Sequence, residues 1–473
     1  MGGRSLEKIV KRVTTKPMAM TTRRDFLKRA LAASTITILP ACMAPRSEKS
    51  RPVGELPPSE RINLACVGVA NQGGGDMKAL AASGLANVVA LCDVDGKALD
   101  SASKQFPGAA RFQDFRQMFD KMAAGIDAVC VGIPDHSHFP VAMLAMSLGK
   151  HVYVEKPLAH TFNEIELMMA AARKYKVAAQ MGNQGHSGGN YFQFKAWTEA
   201  GIIKNVTRAD AFMLGKRRWH TWGVINGYPP AEPMPPNLDW DVWTGTAPMH
   251  DFSKRLHPGD WRGWFIYGNG ALGDWGPHIL DTMHEFLDLG LPVEVSAINR
   301  DTPNEFIFPM ASTLKFSFPA RGDKPPMEIR WYDGLKNHLE LPPEMVGIKM
   351  GSAGKVIRSK DLVFYGGSHS DILRIAPDAK MKAMIDTLPK VVGKNSGHHA
   401  NFLLAAKGIE KCRSNFDVAG PLSQVLMLGV IAQRLGGTLK FDRETKHITN
   451  NEQANAMLTG LPPRKGWEQF YKL

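Results

Sequence analysis

Residues 61–75 of the chain read RINLACVGVANQGGG. The first nine residues are apolar enough for a buried β-strand, and the glycine-rich loop leads into residues 76–82, which favour a helix. The loop follows the pattern G-x-G-x-x-G with an alanine in the middle place. In this pattern the first glycine makes a tight turn, a small residue lets backbone N–H groups approach a pyrophosphate, and the last glycine allows close helix–strand packing. The residues assigned to such a nucleotide are Gly68, Ala70, Asn71 and Gly73.

A second apolar run, residues 88–92, ends in Asp93, which lies 20 residues after Gly73. A carboxylate at this distance accepts the two ribose hydroxyls and repels a 2′-phosphate, so Asp93 favours NAD over NADP as cofactor. Helix-forming and strand-forming segments then alternate as far as a strand at residues 176–180, as parallel βαβ units do. We therefore predict an α/β fold whose first domain, residues 61–182, is a Rossmann dinucleotide-binding domain.

Residues 152–157 read VYVEKP, a short buried strand that ends in a Glu–Lys pair and is stopped by proline. Lys156 should lie at the carboxyl edge of the parallel sheet, where open α/β folds bind their ligands. Residues 132–138, GIPDHSH, and residues 182–184, GNQ, end two further strands at the same edge. The histidines have an alternative role, as helix caps or as partners of the backbone. The additional cofactor candidates are Pro134, His136, His138, Glu155 and Asn183.

From about residue 184 the pattern changes to short alternating segments that are typical of antiparallel strands. These segments are residues 208–213, 293–299, 312–318 and 327–332. Residues 183–473 are therefore predicted to form an α+β domain with an open, mainly antiparallel sheet. Seven of the ten tryptophans fall between residues 219 and 275. Aromatic faces suit the C–H faces of a sugar, although most of these rings should be core residues; Trp219 and Trp264 are the candidates for substrate contact.

Two further segments of the second domain bear on the site. The proline-rich residues 226–260 predict a long loop that serves as a lid or as an oligomer contact. Residues 268–281 read GNGALGDWGPHILD, a glycine-rich loop that leads into a helix. At 100° per residue, one polar stripe of that helix must face water, a cleft or a partner. The stripe holds Asp274, His278, Asp281 and Glu285. An N-cap is the alternative role for Asp274, and Asp281 is a further candidate for substrate contact.

The ordered set of glycine loop, CDVD, PDHSH, EKP and GNQ resembles the Gfo/Idh/MocA family of NAD(P)-dependent sugar oxidoreductases, from about residue 61 onward. The stretch around Asp274 resembles the family motif whose Asp and His reach the substrate. By that match Asp274 and His278 are catalytic candidates beside Lys156. The implied roles are a general base for His278, orientation of the sugar or imidazole for Asp274, and stabilisation of a developing alkoxide for Lys156.

The resemblance also implies an open sheet with one face against the nicotinamide, and a homo-oligomer. It leaves two net reactions open, because the family contains both kinds. One is paired oxidation and reduction of sugars; the other is redox-neutral cleavage of a glycoside by oxidation, elimination, hydration and reduction. A sugar-binding or cofactor-binding protein without turnover is the lesser alternative.

The N-terminal residues predict a targeting signal rather than part of the folded domains. Residues 22–28 read TRRDFLK and precede the short apolar run 30–41, which is typical of a Tat export signal; an amphipathic surface helix is the alternative. Residues 39–42, LPAC, resemble a lipobox, so Cys42 is a candidate for a lipid anchor. We therefore predict a signal over residues 1–42, a linker over residues 43–60 and a periplasmic protein, with either Met1 or Met20 as the start. Because the periplasm offers no obvious pool of free NAD, the cofactor is expected to be tightly bound.

Composition disfavours other classes of protein. The formal net charge is +13, but residues 1–42 already hold nine basic and two acidic residues. The remainder is mildly basic without a long Lys/Arg run, so nucleic-acid binding is disfavoured. No stretch of about 18 apolar residues follows the first 45, so no membrane span is expected there. The five cysteines form no C-x-x-C pair, so no zinc or redox motif is predicted, and no metal.

Overall fold

The computed structural model describes residues 57–391 and 395–473. The predicted export signal, Cys42 and most of the predicted linker lie outside these residues. The first sheet contains β1 (Ile62–Val67), β2 (Ala86–Cys92), β3 (Ala110–Phe112), β4 (Ala128–Val131), β5 (His151–Glu155) and β6 (Ala179–Gly182). All its strands are parallel, in the order β3-β2-β1-β4-β5-β6. This is the strand order of a doubly wound dinucleotide fold, and it confirms the predicted α/β class.

Both faces of the first sheet are buried, as parallel sheets require. Its helices are α1 (Asn71–Ala82), α2 (Gly96–Gln105), α3 (Phe115–Met122), α4 (His138–Ser147) and α5 (Phe162–Tyr175). Alternate residues of a strand enter different core clusters, because side chains alternate across a strand. Thus Leu64 and Cys66 pack with α1 and α2, whereas Ala65 and Val67 pack with α3, α4 and α5.

The second sheet has nine strands in the order β13-β12-β11-β7-β10-β9-β8-β14-β15. Its strands are β7 (Val206–Met213), β8 (Glu294–Asp301), β9 (Ala311–Phe318), β10 (Met327–Asp333), β11 (Ala353–Ser359), β12 (Val363–Gly366), β13 (Arg374–Ala376), β14 (Gly437–Asp442) and β15 (His447–Ile448). Among the strand pairs described in this second sheet, only β7–β10 is parallel, so the predicted, mainly antiparallel sheet is confirmed.

The second half of the chain also supplies α6 (Gly189–Glu199), α7 (Trp240–Thr244), α8 (Gly270–Ile279), α9 (Asp281–Phe286), α10 (Asp378–Met384), α11 (His398–Ala406), α12 (Phe416–Leu435) and α13 (Glu452–Thr459). Within the described residues, α12 alone is long and apolar enough to cross a membrane, but 78% of its apolar window is buried in the protein. It contacts α5 and β6 as well as α8, β8 and β9, so it is a core helix that joins the two sheets.

Two late segments return to the first domain. Helix α11 packs on α1 and places Phe402 and Leu403 in the same core cluster as Met77. Further on, the rings of Trp467 and Phe470 lie 6.0 Å and 5.8 Å from the ring of Phe115. The first domain is therefore completed by residues that are far from it in sequence.

Candidate active site

A cavity of about 700 Å³ lies at the carboxyl ends of β1, β2, β4 and β5. Doubly wound sheets bind their ligands at this edge. The cavity is lined by the glycine loop and Asp93 at the end of β2, and by Lys156 after β5. Strands β2 and β5 are three positions apart in the sheet, which separates these two groups by about 14 Å. The cavity thus spans several strand ends, as an extended ligand requires.

The glycine loop leaves no room for a side chain at Gly68 and Gly73, while Asn71 and Gln72 of the same loop line the cavity. Gly68 has φ +86°, and a Cβ on it would collide with the carbonyl oxygen of Gly132. A Cβ on Gly73 would collide with the oxygen of Gly68, so this position also excludes a side chain. Ala70 is the N-cap of α1 and no side chain caps the helix there. The N–H groups of the first turn are therefore available to an anion such as a pyrophosphate.

Asp93 is held in place by the backbone. Its Oδ2 accepts a hydrogen bond from the N–H of Val69 at 3.0 Å, and its Oδ1 accepts one from the N–H of Asp95 at 3.0 Å. Burial raises the pKa of the Asp93 carboxyl, and these two bonds oppose the rise. The fixed carboxyl, the uncapped helix and the glycine loop together fit a dinucleotide with free ribose hydroxyls, as in NAD.

Pro134 and Glu155 also line the cavity, but, besides Gly73, three other cofactor candidates do not. His136 places its Nε2 2.8 Å from the carbonyl oxygen of Trp243, and burial lowers its pKa to about 3. His138 places its two ring nitrogens 2.8 Å and 2.9 Å from the carbonyl oxygens of Ile133 and Pro157. Both rings thus bind the backbone, as in the alternative role, and neither lines the cavity.

The third of these candidates, Asn183, uses its side-chain hydrogen bonds for partners outside the cavity lining. Its Oδ1 accepts a hydrogen bond from Ser414 at 2.6 Å, and its Nδ2 donates to Asp281 at 3.4 Å. Asn183 therefore joins the two domains and does not reach a ligand in the cavity.

The charged centre of the site is Asp274 on α8. Lys156 Nζ lies 2.7 Å from Asp274 Oδ1, Arg262 Nη1 lies 3.4 Å from the same oxygen, and Arg217 pairs with Oδ2. Burial alone would raise the pKa of Asp274, but Arg262, Lys156 and Arg217 hold it well below its usual range. Asn269 occupies the N-cap of α8, so Asp274 does not have the alternative N-cap role. We call Lys156, Arg217, Arg262 and Asp274 the Asp274 cluster.

His278 lies one turn after Asp274 and is almost completely buried. Its ring stacks on His369 with centroids 4.0 Å apart, and its carbonyl oxygen accepts a hydrogen bond from the N–H of His369 at 2.8 Å. Burial and the nearby Lys156 lower the pKa of His278 well below the usual value near 6.5. The ring is therefore neutral at working pH. Within the described residues Nδ1 has no hydrogen-bond partner. The side chain does not line the cavity, whereas Lys156 and Asp274 do.

The predicted polar stripe is divided because the helix ends between His278 and Asp281. Asp281 begins α9 and is buried with His186, whose Nδ1 is 3.3 Å from Asp281 Oδ2 and whose Nε2 is 2.8 Å from Glu285. Although burial lowers the pKa of His186, these two carboxylates raise it to about 9. Asp281 therefore belongs to an ion triad with His186 and Glu285 and does not line the cavity.

The two tryptophan candidates are core residues. Trp219 and Trp264 are 2% and 0% exposed, and neither lines the cavity. Their indole N–H groups donate to the carbonyl oxygens of Pro309 and Arg255, at 3.2 Å and 2.8 Å. The tryptophans that line the cavity are Trp243, Trp261 and Trp467.

Residues 218–262, which we call the strap, run along the cavity and bind the first domain. Asp239 N–H donates to the oxygen of Val94 at 2.9 Å, and Gly96 N–H donates to the oxygen of Asn237 at 2.9 Å. Gln113 Nε2 donates to both of these oxygens at 2.9 Å. The long loop predicted from its prolines therefore closes over the segment that follows Asp93.

The strand order, the glycine loop, the ribose carboxyl and the lysine–aspartate pair together define an NAD-binding oxidoreductase fold. Two models of the Gfo/Idh/MocA oxidoreductase family match the chain. Residues 62–183 match the family's NAD-binding Rossmann fold, and residues 209–306 match its C-terminal alpha/beta domain.

Similar proteins include enzymes that act on carbohydrates. A "Glycosyl hydrolase family 109 protein" of Shewanella pealeana is 27% identical over 214 residues, which are 42% of this chain and 47% of the relative. The chain thus spans about half the length of the curated relatives it matches. Solved structures with the same fold include the aldose-aldose oxidoreductase of Caulobacter crescentus complexed with glycerol, with a TM-score of 0.54, 14% identity and coverage of 80% of this chain and 100% of that one. The WlbA dehydrogenase of Bordetella pertussis in complex with NADH and UDP-GlcNAcA has a TM-score of 0.56, 15% identity and coverage of 81% and 99%.

Proposed function

We propose that the protein is an NAD-dependent oxidoreductase that transfers hydride from and to a hydroxyl-bearing carbon of a sugar or glycoside. The observation that carries this proposal is the ion pair between Lys156 Nζ and Asp274 Oδ1, which are 2.7 Å apart. Both residues line the same cavity as Asp93. A cation held at this edge, three strands from the ribose carboxyl, is suited to bind a reacting oxygen beside the far end of a dinucleotide.

Lys156, Asp274 and His278 have separate roles in this reaction. NAD, when bound, supplies a group that accepts a hydride and returns it. Lys156 Nζ donates to the reacting oxygen and stabilises negative charge on it, while Asp274 stays ionised and fixes the ammonium group. His278 is neutral, and its Nδ1 has no hydrogen-bond partner within the described residues. It can hold the hydroxyl proton once its ring, which does not line the cavity, turns toward the reacting oxygen. The roles of Lys156 and His278 in moving that proton are exchangeable.

The cofactor is proposed to stay bound between turnovers. The strap is joined by hydrogen bonds to the segment after Asp93, so release of a nucleotide beneath it requires that several of these bonds break. Retention suits the export by the Tat route that we propose from the twin arginines, since a folded protein can carry its cofactor with it. The hydride then returns to the same substrate or to a second one.

Redox-neutral cleavage of a glycoside is the second candidate function. It is favoured by the family 109 glycosyl hydrolases among the relatives, which match over about two fifths of this chain. In this reaction the same lysine, aspartate and histidine would serve the oxidation and the final reduction.

The test of the first proposal is the absorbance of reduced nicotinamide in the purified mature protein, with and without candidate sugars. We expect nucleotide to copurify or to load, and the band to change when a substrate sugar is added. Lys156→Ala and His278→Ala should each abolish the change and retain nucleotide. Lys254→Ala is the matched control, since Lys254 also lines the cavity but is 81% exposed and pairs with Glu232. Lack of nucleotide under all loading conditions, or full activity of Lys156→Ala, would contradict the proposal.

The test of the second candidate uses aryl glycosides without an added acceptor. Release of the aglycone would support cleavage, and its absence with several sugar types would contradict it. We also propose a homo-oligomer and a lipid anchor at Cys42. Light scattering of the purified protein tests the first, and mass spectrometry of the N-terminal peptide from the membrane fraction tests the second.

A further inference from the structure

The Asp274 cluster and its neighbour Asp135 hold more positive than negative charge. Three cations surround Asp274, and only Arg262 has a second carboxylate, that of buried Asp135, 3.2 Å from its Nη1. Within the described residues, Lys156 and Arg217 have no other carboxylate partner. Three cations therefore face two carboxylates in a largely buried site.

Neighbouring acids do not remove this excess. Glu155 also lines the cavity, but within the described residues it forms no ion pair with a cation of the cluster, and its Oε1 accepts a hydrogen bond from Gln184 Nε2 at 2.7 Å. Burial, and then the charge of Asp76, raise the pKa of Glu155. Asp76 itself accepts from His399 Nε2 at 2.8 Å, on the other side of Glu155. Moreover, the buried Nε of Arg217 has no hydrogen-bond partner within the described residues.

An unbalanced buried charge is costly unless a ligand supplies the opposite charge. We infer that the substrate is a sugar that carries an anionic group, a carboxylate or a sulfate ester. Lys156 and Arg262, which line the cavity, select it together with Arg217, which shares Asp274 with them but does not itself line the cavity. Guanidinium groups bind such planar or tetrahedral oxyanions through paired hydrogen bonds. A neutral sugar would leave the excess charge in place. This inference rests on the proposed function, because it names the substrate class of the same site.

The experiment measures binding to the full chain with its nucleotide, by calorimetry, for sugars that differ only in charge. The probes are D-glucuronate, D-galacturonate and D-glucose 6-sulfate, each against its neutral parent sugar. We expect at least one anionic sugar to bind about tenfold more tightly than its parent, the effect of one charged contact. Whether uronates or the sulfate ester show the preference distinguishes carboxylate from sulfate.

Three variants test which side chain causes the preference for an anionic sugar over its neutral parent. Arg217→Gln should reduce the anionic-to-neutral ratio by about fivefold or more, and Arg217→Lys should retain most of it. Arg218→Gln should leave the ratio unchanged, because Arg218 lines the cavity but is 62% exposed and lies 3.8 Å from Asp260. The inference is overturned if no anionic sugar binds wild-type protein more tightly than its parent, or if folded Arg217→Gln keeps the wild-type ratio.

This outcome is independent of the proposed function. Reduction of bound nucleotide by neutral sugars alone would support hydride transfer and overturn the anionic substrate. A preference for anionic sugars that never changes the nicotinamide band would support the binding inference and contradict hydride transfer.

Discussion

Asp274→Asn keeps the shape of the side chain and removes the one charge shared by Lys156, Arg217 and Arg262. Removing one partner of a buried ion pair costs about 3–5 kcal/mol, since the other charge stays buried and unpaired. Asp274 is 15% exposed, and Arg262 keeps Asp135, so we expect the lower end of that range. The free energy of unfolding should thus fall by about 3 kcal/mol.

The loss has a defined pH dependence. The pKa of folded Asp274 is held well below its usual range, and the unfolded value is near 3.9. A group with a depressed folded pKa stabilises the protein above its unfolded pKa, and this contribution is lost as the pH falls toward the folded pKa. The difference between wild type and Asp274→Asn should therefore be constant from about pH 6 to pH 8 and shrink below about pH 4.

Urea unfolding followed by circular dichroism and tryptophan fluorescence measures this difference. Asp260→Asn is the control, because Asp260 also lines the cavity but pairs only loosely, at 3.8 Å, with exposed Arg218. It should change the free energy of unfolding by less than about 0.5 kcal/mol. The double variant Arg217→Gln/Asp274→Asn should lose less than the sum of the single losses, because one unpaired cation is gone. A loss below about 1 kcal/mol for Asp274→Asn, or strictly additive losses, would refute this account of the cluster.

Three other substitutions test the cavity wall and the aromatic core. Gly132→Ala should lower the melting temperature and weaken nucleotide binding, because its Cβ would collide with Gly73 Cα; a variant as stable as wild type would contradict this packing. Asp93→Asn should bring the affinities for NAD and NADP closer, measured by nucleotide titration, since the charge that repels a 2′-phosphate is gone; an unchanged ratio would remove Asp93 from the ribose site. Trp264→Phe should lower the free energy of unfolding by about 1 kcal/mol through the lost hydrogen bond to Arg255, measured by urea unfolding. A changed KM for the sugar would instead place Trp264 at the substrate.

The first sheet could be predicted because its signals are local. The glycine loop, the acid after β2 and the alternation of helix and strand depend on residues close in sequence. The strand predicted at residues 176–180 is observed at Ala179–Gly182. The difference arises because Lys176 ends α5 with φ +54°, so the next residues form a turn before pairing with β5 begins.

Strands β11, β12 and β13 were not predicted because glycines and charged residues interrupt their apolar pattern. Their side chains are nevertheless largely buried, since the strands extend one edge of the second sheet. Strand pairing across the sheet thus outweighs the weak local preference.

The charged centre could be predicted only in part. Lys156 and Asp274 were found through motifs, and the structure brings them into contact across 118 positions of sequence. Arg217, Arg262 and His369 have no local pattern that distinguishes them from surface residues, because their partners are distant in sequence. Likewise, a tryptophan against a sugar and a tryptophan in a core look alike in sequence, so Trp219 and Trp264 could not be told from Trp243 and Trp261.

Trp467 sets a condition on the order of assembly. The last strand of the first sheet ends at Gly182, yet Trp467 forms part of the cavity wall, and Arg464 beside it donates to the oxygen of Gly245 at 2.8 Å. A nascent chain with a finished first sheet therefore lacks this part of the cavity wall until 285 further residues have been synthesised.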